Sequence, residues 1–328
     1  MIFIIATVKQ LGFCWGFYAH KHINKHAVYS LPESSLLVFF KTNSDFITSN
    51  AVKPDQRRYI VKEEACRHYI DLDVYKKDTS LKSLPKYFSQ AQELLSADTL
   101  EKHGILPWHI FKTYNMLVKA MKDKDAEKIL RIASDLGHYI GDAHVPLHTT
   151  HNYNGQLTNQ VGIHGLWETR VPELLSINYD LLAGKAAYID DVQALAWSTV
   201  YKSNNAVDSV LKFEAQLSSS ISEDHKYSFE EKNGITLRTY SPAFSSQYSK
   251  LLNGQVERQM LSAIKTLADV WYTAWIDAGQ PDLSNFAAPI LIEEPQEKEL
   301  NIKNDRFLES HNCDQHHNLF KHSFLTKN

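Results

Sequence analysis

Three cysteines, Cys14, Cys66 and Cys313, are all that 328 residues contain. They are too few for a disulfide framework, and no two form a CxxC pair, so neither a cysteine-stapled fold nor a thiolate zinc ribbon is available. A continuous apolar run of ~20 residues, the length a membrane-spanning helix requires, is also missing. Nor is there a surplus of positive charge. The formal net charge is −3, so no global basic field argues for duplex nucleic acid. No internal repeat is found. What the chain does have is 43% hydrophobic residues, ample for a large core, and 16 unevenly spread histidines.

Most segments show helical periodicity and few show strand alternation, which makes the fold class all-α. Residues 18–30 carry apolar and aromatic positions at helical spacing and end near Pro32. Residues 34–50 and 56–70 read as two further helices, followed by 85–100 and 107–122. Residues 125–143 give the clearest helix. Asp125 can cap it, and Ile129, Leu130, Ile132, Ala133, Leu136 and Ile140 form an apolar stripe. Glycine and asparagine crowd 152–162, marking a loop. A helix is expected over 164–180, broken by Pro172, and one or two over 186–219. Residues 221–245 are polar and irregular, with room for a hairpin at Asn233-Gly234. A long amphipathic helix over 253–278 uses Val256, Met260, Ile264, Leu267, Trp271 and Trp275 and stops at Gly279 and Pro281.

The two ends differ from the middle. MIFIIATV followed by Gly12-Phe13-Cys14 has the outline of a signal-peptide core and cleavage site, though without a basic front and with Lys9 interrupting it. The alternative is a buried first strand or helix. Residues 1–14 are therefore read as a signal-peptide remnant, 15–290 as one helical domain and 291–328 as a polar, flexible tail. An exported protein, secreted or periplasmic and monomeric, is the corresponding expectation.

The chemistry concentrates between His138 and Glu168, in HYIGDAHVPLHTTHNYNGQLTNQVGIHGLWE. His138 and Asp142 are four apart and share a helix face. Pro146 breaks that helix, His148 follows, and His164 and Glu168 repeat the four-residue spacing. Imidazole with carboxylate is the ligand set of catalytic zinc sites. A lone histidine on a helix is more often structural. Here, however, His20 in WGFYAH, Asp55 in KPDQRRY and His68 in RHYID stand upstream as further candidates. Burying so many ionisable groups unpaired would be costly, and shared coordination would satisfy them together.

HYIGDAHVPLH, followed by HGLWE and preceded by RHYID and WGFYAH, resembles the zinc-dependent phospholipase C and single-strand-specific nuclease superfamily over roughly residues 15–280. The resemblance implies an all-helical fold holding three zinc ions at the bottom of a cleft. It implies that Asp55, His68, His138 and Asp142 hold one zinc. The amine and carbonyl of Trp15, with His20 and a bridging Asp142, would hold a second, and His148, His164 and Glu168 the third. The Trp15 amine requires cleavage after Cys14, since an α-amine with a pKa of ~7.7–8.0 can yield its proton to a metal whereas an amide is a poor ligand. Two zincs ~3.5–4 Å apart can turn a shared water into hydroxide for in-line attack on phosphorus. The third would offset charge on the leaving oxygen. Asp55 is the candidate to orient or deprotonate the nucleophile and Asp142 the bridge between metals, so these two are the expected catalytic residues.

Other candidates receive plainer readings. His22 and His26 extend the first helix as solvated groups, and His144 and His151 flank the motif. Asp71 and Asp73 are expected to brace ligand imidazoles. Tyr69 and Trp167 could line the cleft but are read as core. The tail cluster His311, Cys313, His316 and His317 is read as functionless. The substrate is a phosphodiester, either phospholipid or single-stranded nucleic acid. Tyr139, Glu168 and the short insert between His148 and His164 lean toward phospholipase, and the Trp15-to-His20 step and Trp167 toward nuclease. Arg57, Arg58 and Lys62 could serve a phosphate backbone or simply face solvent. Two other classes stay open: a secreted module with structural zinc, and a metal-free lipid-binding helical scaffold.

Overall fold

Helix α1, Phe17–Tyr29, opens the described part of a computed structural model that covers residues 16–77, 84–232, 234–284 and Phe286. Trp15, the signal-peptide outline and the tail, with Cys14, Cys313 and the tail histidines, lie outside the described residues, as does Asn233. The chain continues through α2 (Ser35–Thr42), α3 (Ser44–Ser49), α4 (Lys53–Arg57), α5 (Leu72–Lys77), α6 (Phe88–Leu94) and α7 (Ala97–His103). Two long helices follow, α8 (Leu106–Lys122) and α9 (Ala126–Ala143). Shorter pieces come next, α10 (Ile163–Gly165), α11 (Val171–Leu175), α12 (Val192–Asn204), α13 (Val207–Ser218) and α14 (Glu223–Lys226). One hairpin, β1 (Tyr227–Lys232) with β2 (Ile235–Tyr240), precedes α15 (Pro242–Leu251) and the longest helix, α16 (Gln255–Asp277). The fold is all-α, with a single two-stranded antiparallel sheet among the described residues.

Local chemistry explains the boundaries. The Asp125 carboxylate accepts the Lys128 N–H at 3.1 Å, capping α9 where the sequence placed its start. Ser34, Ser96, Asp191 and Ser241 cap α2, α7, α12 and α15 in the same way. In the hairpin Lys232 pairs with Ile235, which leaves a two-residue connection with Gly234 at φ +74°.

Four expectations need correction. Residues 85–100 hold no single helix, because Leu95 and Ser96 adopt extended backbone between α6 and α7. Residues 34–50 form two helices, because the chain turns at Asn43, whose side chain donates to the Phe39 carbonyl. Residues 56–70 hold no continuous helix. α4 stops at Arg57 and a 3-10 turn runs from Lys62 to Arg67, a geometry that turns both Asp55 and His68 inward. Pro172 does not break its helix. The backbone runs unbroken from Ile163 to Leu175 through a π turn at Leu166–Arg170, and Pro172 sits in the first turn of α11. Having no N–H, Pro172 cannot bond the carbonyl of Glu168 four residues back. That carbonyl accepts the Gly16 N–H instead, at 3.4 Å.

The core lies where α1, α8, α9 and α16 meet, around Trp271, Tyr139, Phe40 and Ile23. Helix α9 is the central element, and its approach to α1 is unusually close. A Cβ built on Gly137 would lie 2.0 Å from Asn24 Oδ1, and one on Gly141 would lie 2.9 Å from His20 Nδ1. Gly137 and Gly141 are four apart on α9, and His20 and Asn24 are four apart on α1. One helix therefore offers a notch and the other fills it with a polar ridge. This fit carries His20 into contact with Asp142.

Candidate metal centre

Five segments deliver the candidate residues to one buried region: α1 (His20), α4 (Asp55), the turn ending at His68, α9 (His138 and Asp142), and the stretch from Pro146 to Glu168. All eight side chains are little exposed, and His20, His138, Asp142 and Glu168 are at 0%. They fall into three groups, each with ligand atoms mutually within 4.8 Å: His20, His138 and Asp142; Asp55, His68 and His138; His148, His164 and Glu168.

Asp142 occupies the centre. Its Oδ2 lies 2.9 Å from His68 Nδ1 and 3.3 Å from His138 Nε2, and its Oδ1 lies 3.4 Å from His20 Nε2 and 3.6 Å from His148 Nδ1. Asp55 Oδ1 stands 3.6 Å from His138 Nε2 and 3.8 Å from His68 Nδ1. In the third group Glu168 Oε2 lies 2.9 Å from His164 Nε2 and 3.4 Å from His148 Nε2. The i,i+4 pairs of the sequence thus meet, the second across a π turn rather than a regular helix. Of the nine expected ligands only Trp15 lies outside the described residues. Its neighbour Gly16 bonds the backbone of Glu168, so the described chain begins at the third group.

The ring nitrogens have assigned roles. His138 Nδ1 lies 2.8 Å from the Ala51 carbonyl, His148 Nδ1 2.6 Å from the His68 carbonyl and His164 Nδ1 3.0 Å from the Tyr153 carbonyl. A carbonyl can only accept, so each Nδ1 carries a proton and each Nε2 is the nitrogen turned toward its group, the one that would bind an ion in the neutral ring. A metal-ligating histidine has this arrangement. His68 is turned the other way, with Nδ1 inward and Nε2 3.7 Å from Glu64 Oε1.

Electrostatically the centre is crowded. His20 and His138 stack with centroids 3.8 Å apart, and His68 Nδ1 is 3.0 Å from His138 Nε2, so these rings cannot all be charged. Burial, then the neighbouring His138, lowers His20 to about 4. Burial opposes a charge on His138 as well, but Asp142 and Asp55 override it and raise that ring to about 9. Asp142 is held well below the carboxylate range against its burial, by His138 and His148. Glu168 moves the other way. Burial dominates, Asp142 and Asp55 add repulsion, and its carboxyl is pushed up.

Several buried atoms make no hydrogen bond among the described residues: Asp55 Oδ2, Asp142 Oδ1, both oxygens of Glu168 and His68 Nε2. Leaving such acceptors unmatched costs about 1–3 kcal/mol each. Four of these five are carboxylate oxygens in groups that also offer imidazole nitrogens, the donor set that suits zinc. The residues present therefore fit a divalent metal.

Other expectations resolve individually. Asp71 and Asp73 do not brace the ligand imidazoles; Asp71 meets His103 and His151, and Asp73 accepts from the backbone of His151 and the hydroxyl of Thr150. His144 turns back on its own helix, its Nδ1 2.8 Å from the Ile140 carbonyl. Trp167 is fully buried, its indole N–H bonded to Gln255. The main omission is Glu64. It is fully buried, paired with Arg57 and Arg67, and bonded by the Tyr139 hydroxyl behind His68. Its position four residues before His68 was the available signal.

No family model matches the sequence, and a search of curated proteins found no match. Among solved structures the chain is similar to the alpha toxin of Clostridium absonum, at 13% identity and a TM-score of 0.45, over 85% of this chain and 67% of that one. It is also similar to the alpha-toxin of Clostridium perfringens from an avian strain, at 14% identity and a TM-score of 0.45, over 84% of this chain and 66% of that one.

Proposed function

We propose that the protein is a zinc-dependent phosphodiesterase of the phospholipase C type, with the three described groups holding its metal ions. The observation that carries this reading is the set of buried carboxylate oxygens without hydrogen bonds, facing imidazole nitrogens whose opposite nitrogens donate to backbone carbonyls. Asp55, His68, His138 and Asp142 would hold one ion, His20 and Asp142 would contribute to a second, and His148, His164 and Glu168 would hold the third. Bound zinc supplies Lewis acidity toward a phosphoryl oxygen and lowers the pKa of water toward 7. Asp142 faces His68 and His138 through Oδ2 and His20 through Oδ1, so its carboxylate would serve both of the first two ions. Asp55 lies at the edge of the centre, with Oδ2 unbonded and Oδ1 3.4 Å from Arg58 Nη1. It is therefore the group positioned to orient a nucleophilic water and accept its proton. Glu64 holds the His68 ring from behind.

Phospholipid is the substrate favoured by the surroundings. The basic residues a nucleic-acid backbone would need are engaged: Arg57 pairs with Asp135 and Glu64, Arg58 with Asp55, and Lys62 with Glu101. Apolar side chains instead flank the ligand-bearing loops. Tyr59 and Ile60 follow Asp55, and Leu157 and Val161 lie between His148 and His164, each more than half exposed. No helix among the described residues is long and apolar enough to cross a membrane.

Zinc-loaded protein should be assayed side by side on phosphatidylcholine, single-stranded DNA and a generic phosphodiester, with its metal content measured. Hydrolysis of the generic substrate and of phosphatidylcholine, with at least two zincs per chain, is expected. Turnover of single-stranded DNA alone would make it a nuclease. Fewer than two zincs, or no hydrolysis of any of the three, would refute the enzyme reading and leave a binding module.

A further inference from the structure

A separate cluster lies just outside the centre. Asp71, His103 and His151 offer one ligand atom each within 4.8 Å of one another. His103 Nδ1 is 3.0 Å and His151 Nδ1 3.3 Å from the same oxygen, Asp71 Oδ2. The backbone fixes all three. The Asp71 N–H donates to the His103 carbonyl at 2.8 Å, and the Asp73 carboxylate accepts the His151 N–H at 2.9 Å. The Ile70 N–H donates to the His148 carbonyl at 2.9 Å, holding the two loop segments together. Asp71 follows His68 by three residues and His151 follows His148 by three, so the same pair of segments serves both places. His103 is the last residue of α7, just before Gly104, whose φ is +82° and where a Cβ would lie 2.0 Å from the Tyr69 carbonyl oxygen.

We propose that Asp71, His103 and His151 form a fourth divalent-metal site, distinct from the three groups of the central region, for a borderline ion of the zinc class. Two imidazoles and one carboxylate select such an ion over calcium or magnesium, which prefer oxygen ligands. The spacing suits it. Ligands about 2.0–2.1 Å from a tetrahedral zinc are roughly 3.3 Å apart. The observed nitrogen-to-oxygen separations of 3.0 and 3.3 Å lie just below and at that edge, so small ring movements would complete it. Access differs from the central groups. Asp71 is only 7% exposed in its side chain, but the rings of His103 and His151 are 14% and 22% exposed, so an ion and a water ligand can enter without unfolding. Three ligands and an open face make a weaker site than the central groups. Its ion would tie α7 to both segments that carry His68 and His148.

The test is a titration of metal-free full-length protein with Co2+ and with Zn2+, read by calorimetric stoichiometry and by the visible absorption of tetrahedral cobalt. Wild type is compared with His103→Gln/His151→Gln. The wild type should bind one more equivalent than the double variant and lose the weakest binding step with it. Because the comparison is a difference, it reads this site whatever the central groups hold. Equal stoichiometry in the two proteins would overturn the proposal and leave the trio as a hydrogen-bonded strut. Should the double variant not give a native circular dichroism spectrum, Asp71→Asn takes its place. That change keeps shape and hydrogen bonding, and the same loss of one equivalent is expected.

Discussion

Replacing Gly137 by alanine tests the contact that brings α1 to the candidate metal centre. Considered as an isolated helix position, the change should help, since alanine is favoured over glycine by about 1 kcal/mol. The structure reverses the sign. The new Cβ would lie 2.0 Å from Asn24 Oδ1, 2.7 Å from its Cγ and 2.9 Å from Nδ2, so rotating the amide gives no escape. Asn24 is fully buried, and its Nδ2 donates to the Ile47 carbonyl at 3.2 Å and the Ser134 carbonyl at 3.1 Å. Expelling it abandons two buried acceptors at about 1–3 kcal/mol each. Overpacking adds about 1–3 kcal/mol. Net of the propensity gain, a loss of about 5 kcal/mol is expected. Urea unfolding of the metal-free protein at neutral pH would measure it. Asn24→Ala/Gly137→Ala should recover at least about 1 kcal/mol relative to the sum of the single changes, since the two residues couple directly. A Gly137→Ala protein as stable as wild type, or more so, would refute the close approach and with it the account of how His20 arrives.

Further outcomes follow from the same geometry. Gly141→Ala, with its Cβ 2.9 Å from His20 Nδ1, should lower metal occupancy more than stability, read by chelator titration beside urea unfolding. Asp142→Ala should abolish phosphodiester hydrolysis, because one side chain faces four imidazoles; a wild-type rate would reject its bridging role. Glu168→Gln should weaken one metal ion and leave the others, visible as a single shifted step in chelator titration. His109 is 8% exposed and lowered by burial to about 3, below its unfolded value near 6.5. Its contribution is therefore intact above pH 6.5 and lost as pH falls toward 3, at about 1.4 kcal/mol per unit. His109→Phe should thus lose about 2 kcal/mol less than wild type between pH 7 and 5, and equal losses would contradict the assignment.

Much of this was legible in the linear chain. The apolar period of 125–143, with Asp125 as cap, set the start, the end and the buried face of α9, because helix geometry and capping act within a few residues. The spacings His138–Asp142 and His164–Glu168 brought those pairs together for the same local reason, and the second survives even a π turn. Glycine beside Asn233 placed the hairpin. What tertiary structure alone decided involves partners distant in sequence. Nothing local says that His138 Nδ1 will find the Ala51 carbonyl, or that Glu64 will stand behind His68 rather than in solvent. Asp71 was expected to support a ligand imidazole and instead faces His103, a residue with no motif around it. Even His20 depends on a notch made by two glycines on a helix more than a hundred residues later. Local sequence determines which side chains can bind a metal; only packing, through backbone contacts between remote segments, determines which of them meet and which nitrogen each one presents.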